Sequence, residues 1–177
     1  MTEKADIRLI RPDDMTADLE AEILALCNRA YEEDLKALFG TFPRGTHVVA
    51  VLGGAIVSHA MWVTRWLQPG CGTMLRTAYV EMVATDPRFE RRGLATSLMQ
   101  HIAGHITAFD LGALCPAEPG LYLKLGWVFW RGPLHIRQHG GLLSTRDERV
   151  MVLELPKTPR LDLDAPLSAE WRLGELW

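Results

Sequence analysis

Cysteine is scarce in this chain, and its spacing excludes the usual zinc sites. The 177 residues include three cysteines, Cys27, Cys71 and Cys115, with no Cys-x-x-Cys pair and no cysteine–histidine cluster at metal-ligand spacing. An odd number of widely separated cysteines is typical of reduced thiols in a cytosolic protein. His101 and His105 have the i, i+4 spacing of two helix ligands, but no third ligand accompanies them. No metal site is therefore predicted.

Long apolar stretches are also missing, which argues against a membrane-spanning helix. No apolar run approaches the roughly 20 residues that such a helix requires. The first ten residues, Met1–Ile10, are charged and lack the apolar core of a secretory leader. The sequence therefore predicts a soluble cytoplasmic protein with no membrane partner.

The third absence is an excess of positive charge. Lysine and arginine number 19 against 22 aspartates and glutamates, a formal net charge of −3. Because broad nucleic-acid binding needs a basic surface, nucleic acid is not an expected partner, whereas a small cationic substrate is compatible with this balance. The length and the 48% hydrophobic content predict a single compact domain over residues 1–177.

Strand and helix patterns alternate along the chain, which predicts the α/β class. The predicted helices, from apolar residues at helical spacing, are Ala17–Tyr31, a short helix within Glu32–Gly45, Gly93–Phe109 and Pro119–Leu125. The predicted strands are Ile7–Ile10, His47–Leu52, Ala55–Val63, Ala78–Ala84, Leu111–Leu114, Trp127–Trp130 and Val150–Leu155. A hairpin turn is expected at Gly53-Gly54 and a Gly-rich loop near Gly140-Gly141. This order predicts a mixed β-sheet with helices on both faces and a strand–helix–strand crossover.

The segment Val80–Met99 is the most informative, because it joins a buried strand to a helix through a short basic loop that contains Gly93. The first turn of a helix has unpaired backbone N–H groups and a positive dipole end, and Arg91 and Arg92 add charge there. Such a loop suits a phosphate or pyrophosphate. Taken alone, it is better explained as an ordinary helix N-terminus beside two solvated arginines.

Two motifs together resemble those of the GCN5-related N-acetyltransferase (GNAT) superfamily. Residues Glu90–Ala95 match its pyrophosphate-loop pattern except at Glu90, where glutamine or arginine is usual, and Leu121–Trp127 match its downstream Leu-Tyr-x-x-Leu-Gly-Trp pattern. The resemblance implies the GNAT fold, a central mixed sheet flanked by helices, and acetyl-CoA as the acetyl donor.

A closer resemblance is to the aminoglycoside 2′-N-acetyltransferases. It is carried by Tyr79-Val80-Glu81, Trp130–Pro133 and the ending Trp171–Trp177, which has the family pattern Trp-Arg-x-Gly-acid-x-Trp. The resemblance implies acetylation of the 2′-amino group of an aminoglycoside, antibiotic resistance, a homodimer, and a tail over residues 157–177 docked at the substrate pocket. The same chemistry on a peptide N-terminus, a lysine or a polyamine stays open as the alternative.

The resemblance also implies which residues hold acetyl-CoA. The backbone N–H groups of the loop are expected to bind the pyrophosphate, and the neighbouring strand is expected to pair with the pantetheine arm. The residues concerned are Arg91, Arg92, Gly93, Leu94, Ala95 and Thr96 in the loop, and Met82, Val83 and Ala84 in the strand. A β-bulge near Glu81-Met82, again implied by the resemblance, would direct an N–H group at the thioester oxygen.

Two side chains are the candidate catalytic residues. Glu81 is an acid within an apolar strand, and because a buried unpaired carboxylate is costly, it either forms a structural ion pair or faces a wet cleft. In the cleft it would accept a proton from the substrate ammonium or only bind that ammonium. The resemblance places the Tyr122 phenol near the coenzyme sulfur as a general acid, whereas an apolar helical position alone favours a core tyrosine.

A polycationic aminoglycoside needs an acidic pocket with a few flat walls. The candidate substrate-binding residues implied by the family are Asp34, Glu81, Met82, Asp147 with its neighbour Glu148, Glu175, and Trp177 with its terminal carboxylate. Each acidic residue taken singly is better explained as a solvated surface residue. The prediction depends on their coming together in space.

Overall fold

The computed structural model describes residues 4–177, which form two compact units. One unit holds the described chain up to Val63 together with Val80–Gly104, and the other holds Thr64–Tyr79 and His105–Trp177. The prediction of a single domain over residues 1–177 stays a prediction. The expectation of no leader in Met1–Ile10 concerns residues that lie partly outside the described range.

The first unit contains a sheet of four strand segments in the order β1, β2, β3, β4. Its elements are β1 (Asp6–Ile10), α1 (Ala17–Tyr31), α2 (Lys36–Phe39), β2 (Thr46–Leu52), the first part of β3 (Ala55–Pro69), the last part of β4 (Leu75–Thr85) and α3 (Leu94–His105). Strands β1 and β3 both pair antiparallel with β2. The predicted hairpin is confirmed, with Gly53 and Gly54 at φ +57° and +81°, where glycine carries no steric cost.

Helix α1 has the bounds that the sequence predicts. The Thr16 side chain accepts a hydrogen bond from the Leu19 N–H at 3.2 Å, which caps the start, and Glu32 ends the helix in the left-handed region at φ 55°. Ile23, Leu26 and Cys27 form its buried face. Local capping and periodicity together therefore account for this element.

The second unit contains a mixed sheet in the order β6, β9, β5, β4, β3, β10, β7, β8. Its further elements are β5 (Leu111–Leu114), α4 (Gly120–Lys124), β6 (Val128–Phe129), β7 (Leu134–Gln138), β8 (Gly141–Ser144), β9 (Met151–Glu154) and β10 (Leu167–Glu170). Strand β4 pairs parallel with β5, as the predicted crossover requires, and β7 pairs parallel with β10. Strand β9 pairs antiparallel with β5 and β6, as do β10 with β3 and β7 with β8, so the predicted mixed α/β class is confirmed.

Several predicted boundaries are wrong, and each error has a physical cause. Strand β3 continues beyond Val63 to Pro69. The sequence does not reveal this extension because the apolar pattern is broken by Arg65, which is charged although its position is buried. Helix α3 ends at His105 instead of Phe109, since the β-branched Ile106 and Thr107 lower helix propensity and Phe109 turns back onto the Ile106 carbonyl.

Three strands were not predicted at all. The expected Gly-rich loop at Gly140-Gly141 is instead the turn of a β7–β8 hairpin, in which Gln138 pairs with Gly141. All four residues of β8 are exposed, so that strand has no alternation of buried and exposed positions to reveal it. Strand β10 lies in the tail and is defined by pairing with β7 and β3 more than by its own four residues.

No helix among residues 4–177 is long and apolar enough to cross a membrane.

Candidate functional site

The loop after β4 is held in shape by a buried carboxylate. Asp86 is 2% exposed and accepts hydrogen bonds from the Arg88 side chain at 2.9 and 3.0 Å, from the Arg88 N–H at 3.0 Å and from Arg29 Nε at 3.2 Å. These bonds, those from the Arg88 side chain above all, hold the pKa of the Asp86 carboxyl well below its usual range. Asp86 therefore caps the start of the short 3₁₀ turn Pro87–Phe89 that follows.

The loop then presents backbone amides at the start of α3. Arg91 and Gly93 both have left-handed backbones, at φ +57° and +78°, and the first amide bonded back into the helix is that of Ser97, which donates to the Gly93 carbonyl at 3.0 Å. The N–H groups at the preceding helix positions therefore have no partner within the helix. With the exposed side chains of Arg91 and Arg92 beside them, they fit a diphosphate or a similar anion.

Strand β4 is distorted at the position where a bulge is expected. Met82 has φ +54°, a left-handed backbone that costs a non-glycine residue about 1 kcal/mol or more, so neighbouring contacts must maintain it. Glu81 beside it is 8% exposed. One such contact is made at the next residue, where the Tyr31 hydroxyl, at the end of α1, donates to the Val83 carbonyl at 3.0 Å.

A second contact comes from two buried histidines, His47 on β2 and His59 on β3, which we call the histidine pair. His59 Nδ1 lies 2.8 Å from the Met82 carbonyl oxygen, and His47 Nδ1 lies 2.9 Å from His59 Nε2. Burial lowers the pKa of His47 to about 4 and that of His59 to about 3, so both imidazoles are neutral near pH 7. Because a carbonyl only accepts, His59 donates from Nδ1, and its Nε2 accepts from His47 Nδ1–H.

In the second unit, Tyr122 is buried on α4. Its ring packs edge-on against Trp127 with the centroids 6.3 Å apart, and the Trp127 N–H donates to the Tyr122 carbonyl at 3.1 Å. Burial raises the pKa of the Tyr122 phenol to about 12. The phenol therefore keeps its proton throughout the physiological pH range and is available as a donor.

The C-terminal tail is held in the second unit by Arg65 of β3, which is 1% exposed. Its guanidinium donates to the Leu176 and Glu170 carbonyls, each at 2.8 Å, and lies 4.8 Å from the Tyr79 ring centroid and 5.9 Å from that of Trp177. Trp177 is 3% exposed, and its indole N–H donates to the Thr145 hydroxyl at 2.7 Å. The tail is thus docked at its final residue, while Trp171 is exposed.

The candidate substrate acids are divided between the units. Asp34 in the first unit is exposed, and its carboxylate accepts from the Lys36 N–H at 3.0 Å at the start of α2. Asp147 and Glu175 in the second unit are both exposed, and Glu148 accepts from the Cys115 thiol at 3.4 Å. Their common role in binding a substrate stays a prediction. Among residues 4–177 no group of three or more His, Cys, Asp or Glu side chains could hold a metal ion.

Sequence reasoning missed the histidine pair, Asp86 and Arg65. No local signal identifies the histidine pair. A regular hairpin closed at Gly53-Gly54 would set His47 opposite Ala60 and so put the two histidines on opposite sheet faces, whereas the register shift between Ala50 and Val51 sets His47 opposite Met61 and His59 opposite Val49, on one face. Nor does a local signal identify Arg65, whose partners lie 105 and 111 residues away along the chain.

Known proteins match this chain in both sequence and fold. The model of a family described as an acetyltransferase (GNAT) domain matches residues 6–129. The chain is 33% identical over 178 residues to an aminoglycoside 2′-N-acetyltransferase of Mycolicibacterium fortuitum, which covers 96% of this chain and 91% of that relative.

Solved structures of other proteins share the fold. The GNAT family N-acetyltransferase YhbS of Escherichia coli, in complex with CoA, has a TM-score of 0.66 at 18% identity and covers 97% of this chain and 91% of its own. Eis1 of Mycobacterium abscessus has a TM-score of 0.59 at 21% identity over 70% of this chain, which spans 31% of the Eis1 chain. At these identities the likeness concerns the fold alone.

Proposed function

Because the chain belongs to the GNAT family of acetyltransferases, we propose that it transfers an acetyl group from acetyl-CoA to the 2′-amino group of an aminoglycoside. The observation that carries this substrate is the similarity to the Mycolicibacterium fortuitum enzyme, which is 33% identical over 96% of the chain. Resistance to such antibiotics, a cytoplasmic location and a homodimer belong to the same proposal.

The donor of this family is acetyl-CoA, which when bound supplies a thioester that an amine can attack. The loop amides around Gly93 and the side chains of Arg91 and Arg92 are proposed to hold its diphosphate, because they combine a helix N-terminus with positive charge. Met82, Val83 and Ala84 are proposed to pair with its amide-rich arm. The left-handed backbone at Met82 supports a bulge at the position where an N–H group is needed for the thioester oxygen.

Glu81 and Tyr122 are proposed to move the protons. Glu81 would receive the substrate ammonium and either accept its proton, directly or through water, or bind it as a counter-ion. Tyr122 would donate its phenolic proton to the departing thiolate of CoA. Both side chains are at least nine-tenths buried, which suits proton transfer away from bulk water.

The acceptor is proposed to be a polycation. Asp34, Asp147 and Glu175 are exposed carboxylates that would pair with its ammonium groups, and Trp177, which is 3% exposed, would supply a flat apolar wall. Met82 would contact the acceptor beside Glu81.

A matched pair of antibiotics tests this substrate. Kanamycin B and tobramycin carry a 2′-amino group, whereas kanamycin A carries a hydroxyl at that position. We expect acetyl-CoA-dependent release of free thiol with the first two and none above background with kanamycin A, and product NMR should place the acetyl group on the 2′ nitrogen. Turnover of a peptide N-terminus, a lysine or a polyamine with no turnover of any 2′-amino drug would refute the aminoglycoside as the substrate. Acetyl transfer from acetyl-CoA would still stand.

A second test addresses the loop. Gly93 has φ +78°, so Gly93→Ala forces an L-residue into the left-handed region, at a cost of about 1–2 kcal/mol, and adds a methyl group beside the amides. We expect the affinity for CoA, measured by calorimetry, to fall about 10-fold. Gly104→Ala, near the other end of α3 and equally uncrowded, is the control and should leave that affinity unchanged. Equal affinities of the two variants would show that the loop amides do not bind the coenzyme.

A further inference from the structure

The Met82–Val83 peptide is the part of the first unit whose orientation matters most for acetyl transfer. Residues 4–177 contain no cis peptide bond, and in a trans peptide the C=O and the following N–H point in opposite directions. Because His59 Nδ1–H binds the Met82 carbonyl at 2.8 Å, the Val83 N–H must point away from the His59 side chain. The direction of this N–H is therefore set by an imidazole.

That imidazole is itself held by further contacts. Its Nε2 accepts from His47 Nδ1 at 2.9 Å, and the His47 ring packs against Phe39 of α2 with the centroids 6.1 Å apart. His59 is fully buried and His47 is 6% exposed. With Nε2 occupied as an acceptor, the neutral His59 ring carries its proton on Nδ1, which is the tautomer that the Met82 carbonyl requires.

We propose, as an extension of the proposed function, that the histidine pair comprises two positioning residues for acetyl transfer. His47 selects the tautomer of His59, and His59 holds the Met82–Val83 peptide in its left-handed bulge so that the Val83 N–H is presented to the thioester oxygen. Neither histidine touches the reacting atoms. The Tyr31 hydroxyl, which donates to the Val83 carbonyl at 3.0 Å, fixes the next peptide along the strand.

Two substitutions at His59 separate positioning from packing. His59→Leu removes the donor and keeps an apolar side chain of similar size, whereas His59→Asn keeps an N–H donor near the Nδ1 position. We expect kcat to fall on the order of 10- to 100-fold in His59→Leu, with the KM for acetyl-CoA and the affinity for CoA within about 3-fold of wild type. His59→Asn should recover most of the loss.

Cys27→Ala is the matched control for disturbance of the same buried cluster. The Cys27 sulfur lies 3.8 Å from His59 Nδ1 and is fully buried, but it is not the group that holds the Met82 carbonyl. We expect this variant to lose stability and to keep the wild-type kcat. A loss of kcat in Cys27→Ala as large as that in His59→Leu would overturn the proposal, because any damage to the core would then have the same effect.

A spectroscopic measurement tests the proposal without turnover and without a variant that must fold. In wild-type protein labelled with ¹⁵N-histidine, His59 should show a protonated Nδ1 and an unprotonated Nε2 near pH 7. In ¹⁵N-valine-labelled protein, the Val83 amide proton should shift on addition of acetyl-CoA and much less on addition of CoA. The opposite tautomer, or equal Val83 shifts with both ligands, would overturn the proposal even if aminoglycosides are acetylated. Conversely, if the expected shifts are seen but no aminoglycoside is acetylated, the positioning role of the histidine pair stands and the proposed substrate is refuted.

Discussion

Replacing Tyr122 by phenylalanine is expected to lower kcat for acetyl transfer by about 100-fold, with the affinity for CoA unchanged within a few-fold. General acid catalysis by a positioned side chain contributes on this order. The substitution removes only the hydroxyl and preserves the edge-on packing against Trp127, so the stability of the fold should change little. Steady-state kinetics and calorimetry on the same preparation make the comparison.

The pH profile adds a second criterion for Tyr122. Burial raises the pKa of its phenol to about 12, so the acid form is half lost near that pH and predominates well below it. In wild-type protein kcat should therefore show no alkaline fall assignable to Tyr122 below about pH 10. An exposed residue of the same helix, Lys124→Ala, serves as the control and should retain wild-type kcat. If Tyr122→Phe also retains it, Tyr122 is a core residue and the proton comes from elsewhere.

Replacing Arg65 by methionine is expected to lower the free energy of unfolding by about 3 kcal/mol. The change leaves the Leu176 and Glu170 carbonyls without their donor, and a buried acceptor that loses its partner costs about 1–3 kcal/mol. It also removes the cation that lies over the Tyr79 and Trp177 rings. Arg65→Lys should restore little of the loss, because an ammonium cannot reproduce the planar, forked donor geometry.

Urea unfolding at constant m-value measures this loss. Arg76→Met is the matched control: Arg76 is exposed and stacks on Phe109 at 4.1 Å, so the same change there should cost less than about 1 kcal/mol. Because Trp177 is proposed to line the acceptor pocket, Arg65→Met should also raise the KM for the amine more than that for acetyl-CoA. A smaller destabilisation at Arg65 than at Arg76 would contradict a structural role in holding the tail.

Glu81 and the acidic residues illustrate how far motif reasoning extends. The sequence alone predicts an acid within an apolar strand, and Glu81 is indeed nearly buried in β4 beside the distorted Met82. It does not distinguish a proton acceptor from a counter-ion, because that depends on what lies opposite the carboxylate. Asp34 shows the same limit, since its carboxylate has a local structural partner in the Lys36 N–H as well as an exposed position.

The amino-acid sequence by itself determined the elements whose causes are local. Thr16 and Glu32 bound helix α1, Gly53-Gly54 turns the first hairpin, and Gly93 permits the left-handed residue before α3. Capping, turn conformation and periodicity act over fewer than about ten residues, so they can be predicted from the sequence. The GNAT motifs belong to this group, because each is a short contiguous segment that can be recognised without knowing what packs against it.

Only the tertiary structure decided which distant polar groups meet. His59 reaches the Met82 carbonyl 23 residues away, and Arg65 reaches the Leu176 carbonyl 111 residues away. The exposed strand β8 and the short strand β10 likewise exist through their partners. The physical reason is that a buried donor must find an acceptor wherever the packed chain offers one, and no local pattern specifies which acceptor that is.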